Sequence, residues 1–124
     1  MGNVWRLVDT SDPLDADGAE SLIRARLHRG EYETWFESDS GELLAVVTNG
    51  ERAMLMLLRE PGDAGEHAVD ASADASTSGG YVLANGQVDA YANRDTVPLA
   101  TATSLVSAVI DGRERSPMEW QIDR

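Results

Sequence analysis

The stretch LLAVVTNGERAMLMLL, Leu43 to Leu58, decides the fold. Two apolar runs flank Asn49-Gly50, a pair whose members both tolerate the positive φ of a tight type I′ turn, so the segment reads as an antiparallel hairpin. Pairing across that two-residue turn sets Thr48 against Glu51, Val46 against Ala53 and Leu44 against Leu55 on one face. Ala45 against Met54 and Leu43 against Met56 then lie on the other. Side chains alternate across a strand, so a hairpin that is apolar at odd and even positions alike has two apolar faces. Such strands belong in the middle of a sheet covered on both sides, or leave one face for docking.

Upstream, the turn SDSGE separates Leu43–Thr48 from a third strand over Tyr32 to Glu37. Before it, Ala19, Leu22, Ile23 and Leu27 recur at helical spacing and predict a helix from about Leu14 to Arg29, with Asp15, Asp17 and Glu20 at its start, Arg24, Arg26 and Arg29 towards its end, and Gly30 as the stop. Val4 to Asp9 reads as a short strand. Downstream, residues 60–80 shift abruptly to Ala, Ser, Gly and Asp, which predicts a mobile acidic loop, with room for a short strand near Ala68 to Asp70. Asn85-Gly86 signals a second type I′ hairpin, pairing Leu83 with Val88 and Tyr81 with Ala90 on one face and Val82 with Asp89 on the other. Asp95 or Thr96 is then expected to cap a helix with Pro98 in its first turn. Its apolar stripe is Leu99, Ala102, Leu105, Val106, Val109 and Ile110, and Gly112 ends it. A last strand opens at Pro117 and carries Met118 and Trp120 on one face. The expectation is one α+β domain over residues 1–124: a mostly antiparallel sheet of five to seven strands with two helices.

Charge narrows the function. Twenty-two acidic residues against ten basic ones give a formal net charge of −12 and a pI near 4.3, and every basic residue is Arg. Nucleic-acid affinity rests on cationic side chains displacing counterions, so DNA, RNA and anionic membranes are excluded as partners and a basic protein is favoured. With no Cys there is no thiolate nucleophile and no cysteine metal site. No run approaches the roughly 18 apolar residues of a membrane span, and the N-terminal sequence lacks a leader-like apolar run, so a cytoplasmic location is expected.

Reaction chemistry finds little support. Asp15 and Asp17 before Gly18 suggest a calcium loop, but the bidentate Glu that such a loop needs would fall at Arg24. His28 and His67 stand without sequence partners, and Glu31, Glu33 and Glu37 alternate as a solvated strand face would. Phosphate-cradling glycine motifs are missing. No catalytic residue, metal or cofactor is expected.

The hairpin GYVLANGQVDAY followed by VPLATATSLVSAVIDGRERSPMEWQ, with its Pro-Leu-started helix, Gly-Arg exit and terminal Trp120, resembles a family of small bacterial immunity proteins, the first-numbered Imm family of polymorphic toxin systems. LLAVVTNGERAMLMLL is similar in outline to that family's central strands, whereas the first thirty or so residues carry none of the likeness. The resemblance implies a non-enzyme that binds and neutralises a cognate toxin domain, often a nuclease or deaminase. It transfers no contact residues. From charge alone, Asp63, Glu66, Asp70, Asp74 and Asp89 are expected as steering charges, and Trp35 and Tyr91 as aromatic anchors. A small-molecule or regulatory binding module is the alternative, and a carboxylate hydrolase comes third.

Overall fold

The computed structural model describes residues 3–114 and 119–124. The chain runs β1 (Trp5–Leu7), β2 (Pro13–Leu14), α1 (Ala16–His28), β3 (Glu33–Ser38), β4 (Leu43–Thr48), β5 (Arg52–Leu58) and β6 (Glu66–Val69). It continues through β7 (Thr77–Val82), β8 (Val88–Ala92), a 3₁₀ turn (Asn93–Asp95), β9 (Val97–Pro98), α2 (Leu99–Ile110) and β10 (Glu119–Ile122). The fold is α+β, as the periodicities predict. Its main sheet holds eight antiparallel strands in the order β10-β6-β5-β4-β3-β1-β2, with β9 also paired to β5, while β7 and β8 form a separate two-stranded sheet. The ten strands described exceed five to seven because β2 and β9, two residues each, are too short to carry a period-2 pattern and form by pairing against longer strands, and because β6 forms within the segment expected to be mainly loop.

β4 is central and both of its faces are covered. Phe36, Leu44, Val46 and Leu55 pack beneath α1 and α2, meeting Ala19, Ile23, Ala102, Leu105 and Val106 in one continuous core. On the opposite face Ala45 and Val47 are also buried, and β7 packs over β4. The second apolar face of β4 is therefore closed by the chain's own second hairpin.

Register departs from expectation in both hairpins. Across the first, Thr48 pairs with Ala53, Val46 with Leu55 and Leu44 with Leu57, a slip of two residues. Asn49 stays in the ladder, donating its N–H to the Arg52 carbonyl at 3.1 Å. Its side-chain oxygen accepts from the N–H groups of Glu51 and Arg52 at 2.9 and 2.8 Å. Gly50-Glu51 becomes the turn pair, with Gly50 at φ 94°, where glycine leads as in a type II′ turn. An even slip leaves every side chain on its expected face.

Across the second hairpin Val82 pairs with Val88 and Tyr81 with Asp89, a slip of one. The loop is a three-residue one, closed by Leu83 N–H to the Gln87 carbonyl at 2.8 Å, with Gly86 in the left-handed region at φ 88°. An odd slip exchanges faces, and Val88, expected opposite Leu83, stands 62% exposed while Tyr81 is fully buried.

Residues 60–80, expected to form a mobile loop, hold β6 and the start of β7, and β6 joins the main sheet between β5 and β10. β6 overlaps the short strand allowed near Ala68 to Asp70, whereas the low-complexity composition hid the start of β7, which forms through pairing with β8. Asp15 caps α1, its carboxylate accepting from Gly18 N–H at 2.7 Å. Neither Asp95 nor Thr96 caps α2, which begins after Pro98 with no side-chain cap; the Glu51 carbonyl accepts the Leu99 N–H at 2.9 Å instead. Gly112, at φ 68°, ends α2 as expected. Pro117 and Met118 lie outside the described residues; Trp120 pairs with Ala68 and packs against the helix-covered core.

Candidate functional site

The acidic residues expected as steering charges each have hydrogen-bond partners within the fold. β5 begins at Arg52, and this guanidinium reaches past the sheet end to the segments that follow β6 and β8. Its Nε donates to Thr96 Oγ1 at 2.7 Å, and its Nη2 donates to Asp70 Oδ2 at 2.8 Å and to the carbonyls of Thr96 and Asn93 at 3.0 and 3.1 Å. Asp70 is buried, and its carboxyl is held below the ordinary carboxylate range by the Ser72 hydroxyl and by Arg52. Asp74 accepts from the Ser76 hydroxyl, the Ser76 N–H and Asn93 Nδ2, which lower its pKa to about 2.

Arg124 gathers a second pair. It donates to Asp63 at 3.0 Å and to Glu66 at 3.2 Å, and its hydrogen bond is the main cause that lowers the Asp63 pKa to about 2. Between the two clusters lies His67, on β6 rather than in a loop. Its Nδ1 is 2.7 Å from Asp123 and its Nε2 is 3.0 Å from Asp95. Burial opposes its protonation, but the two carboxylates prevail and raise its pKa above 6.5. With both ring nitrogens held, this imidazole has no free position to serve as a base towards a substrate.

Trp35 and Tyr91, the expected aromatic anchors, each donate a hydrogen bond to a carboxylate two residues earlier on the same strand. Trp35 donates its indole N–H to Glu33 Oε2 at 2.7 Å, and Glu33 Oε1 accepts the Ala84 N–H at 2.9 Å, fastening the tip of the second hairpin to β3. Tyr91 donates to Asp89 at 3.1 Å; burial first, then Asp89 and the charge of Glu33, push its pKa up to about 12. Both aromatic side chains are half-buried.

Beside Trp35 the surface dips into a hollow of about 290 Å³ between the β1–β2 turn, β3 and the hairpin tip, bordered by Val8, Asp9, Arg26, Glu33, Trp35 and Ala84. A smaller hollow of about 210 Å³ shares Arg26, Glu33 and Ala84. Thr10 N–H closes on the Leu7 carbonyl at 3.1 Å, which puts Asp9 at the third position of a turn with φ 68°. That position favours Gly or Asn.

Asp63 and Glu66 thus meet around Arg124, Asp70 and Asp74 flank Arg52 and Asn93, and Asp89 joins Tyr91. Sequence reading missed Asp9, Arg52 and the two partners of His67. Only Asp9 left a signal, an acidic residue between an apolar strand and a turn-rich segment. No family model matches the chain, and neither does any curated protein or solved structure.

Proposed function

We propose that this chain is an immunity protein: a non-catalytic inhibitor that binds a cognate bacterial toxin domain, a nuclease or deaminase, and covers its cationic substrate groove. One observation carries the reading. After the internal pairs are made, Asp9, Asp12, Asp17, Glu51 and Glu60 remain exposed with no ion-pair partner among the described residues, on a chain of net charge −12. Enzymes that act on polynucleotides bind them through basic grooves, and an acidic surface accelerates encounter with such a groove while excluding its substrate. The hairpin-to-helix resemblance over Gly80 to Gln121 supports the same reading.

Co-purification from the native host tests it. The expected result is a basic protein whose affinity for the chain falls as salt rises and whose activity is lost on stoichiometric addition of the chain. Turnover of any compound by the purified chain alone, or tight polynucleotide binding at physiological salt, would overturn the reading. A second reading, a small-molecule binding module, draws on a pocket of about 410 Å³ lined by Ala71, Ala73, Ala75, Asp74 and Arg94, within the size range of ligand sites. A metabolite retained in native mass spectra would favour it.

A further inference from the structure

We propose that the hollow beside Trp35 receives an arginine side chain of the partner, its guanidinium stacked on the indole and paired with Asp9. The inference rests on the immunity reading and names the partner group that this surface takes. Three features point to a planar cation. Trp35 lines the hollow with its ring orientation fixed by the hydrogen bond to Glu33, and an indole is the best aromatic platform for a guanidinium. Asp9 borders the same hollow, is exposed, and has no hydrogen-bond or ion-pair partner among the described residues. Its carboxylate is therefore available, unlike those of Asp63, Glu66, Asp70 and Asp74. Asp9 is also the one non-glycine residue with positive φ among those described, so a charged side chain is held where the turn itself favours Gly or Asn.

The cation already present does not neutralise the hollow. Arg26 is spent on the Thr34 hydroxyl at 2.9 Å and the Glu33 carbonyl at 2.9 Å, and its Nη1 lies 3.9 Å from Glu31. Asp9 and Glu33 against Arg26 leave the rim net negative, with Glu31 adding to it from the adjoining hollow. A volume of about 290 Å³ holds one long side chain and a few waters.

The test titrates a hexa-arginine peptide and a hexa-lysine peptide into the protein at low salt, following the three tryptophan indole N–H resonances by NMR. The expected result is a shift at Trp35 with Trp5, which is buried, unmoved, and binding about threefold tighter for arginine than for lysine, because stacking favours the planar group. Asp9→Asn suits the left-handed turn and removes only the charge; it should weaken hexa-arginine binding about threefold. Trp35→Leu should abolish the preference for arginine. Unchanged binding by Asp9→Asn, equal affinity for the two peptides, or shifts that spare Trp35 would each overturn the assignment. Host capture separates this from the parent reading: a toxin held equally well by Asp9→Asn and the unaltered chain overturns the hollow while immunity stands. A peptide response at Trp35 with no toxin captured supports the hollow and counts against immunity.

Discussion

Tyr81 is fully buried against Tyr91, their ring centroids 4.7 Å apart, yet its hydroxyl has no hydrogen-bond partner among the described residues. A buried hydroxyl without a partner forfeits its hydration for nothing, at a cost of about 1–3 kcal/mol. Tyr81→Phe is expected to leave the ring packing intact and raise stability by about 1 kcal/mol in urea unfolding; a loss of that size would mean that the hydroxyl is satisfied. Asp70 is the opposite case. Its charge is matched by Arg52 at 2.8 Å; Asp70 is buried and Arg52 largely so, and removing the carboxylate leaves the guanidinium only neutral partners in Thr96 and Asn93. Asp70→Leu and Arg52→Met should each cost about 2–3 kcal/mol alone, and the double change should cost much less than their sum. Full additivity in that thermodynamic cycle would show that the two residues do not act as a pair. Nothing local distinguishes this carboxylate from a solvated one: Arg52 lies eighteen positions away, and no period relates them.

At the scale of elements, the two hairpins show which part of a strand pairing is legible. Alternation assigned each residue of β4 and β5 to the correct face, and an even slip preserved that assignment. The Asn-Gly signal located both turns but chose the wrong loop in each, since the outcome depended on which backbone groups the Asn49 side chain capped and on Gly86 closing a three-residue loop. β6 depends on a glycine of another kind. Gly65 sits at φ 80°, and a Cβ there would come within 2.9 Å of the Leu57 carbonyl oxygen. Left-handed strain and the clash act together, so Gly65→Ala should lose about 2 kcal/mol or more, read from thermal unfolding. A neutral result would show that the β5–β6 connection can relax.

For the whole molecule, the sheet's β10 edge is fastened by charge as well as by its ladder. Asp123 meets His67, Arg124 meets Asp63 and Glu66, and the Asp123 N–H donates to the Gly65 carbonyl at 2.9 Å. The folded state raises the pKa of His67 above its ordinary 6.5. It therefore binds that proton more tightly than the unfolded chain does, a contribution fully present below about pH 6.5 and lost as pH rises through the higher folded value. Asp63 and Asp74 act at the other end: with pKa values near 2 instead of 3.8, their contribution is present above about pH 4 and lost as pH falls towards 2. Melting temperature should be highest between about pH 4 and 6.5 and decline on both sides. His67→Gln should remove the alkaline decline while leaving the acid one; persistence of both would sink the assignment.

Sequence by itself determined the α+β class, both helices with their buried stripes, the two apolar faces of β4 and the acidic balance, because local periodicity and composition encode which surfaces avoid water. Tertiary structure decided hairpin register, the strands within 60–80, and which carboxylates remain on the surface. Those outcomes rest on contacts between distant residues, Arg52 with Thr96 and Asp70, His67 with Asp95 and Asp123, and Glu33 with Ala84. Their partners are chosen by closure of the fold, when an unmet polar group buried beside another is costly and a met one is stable.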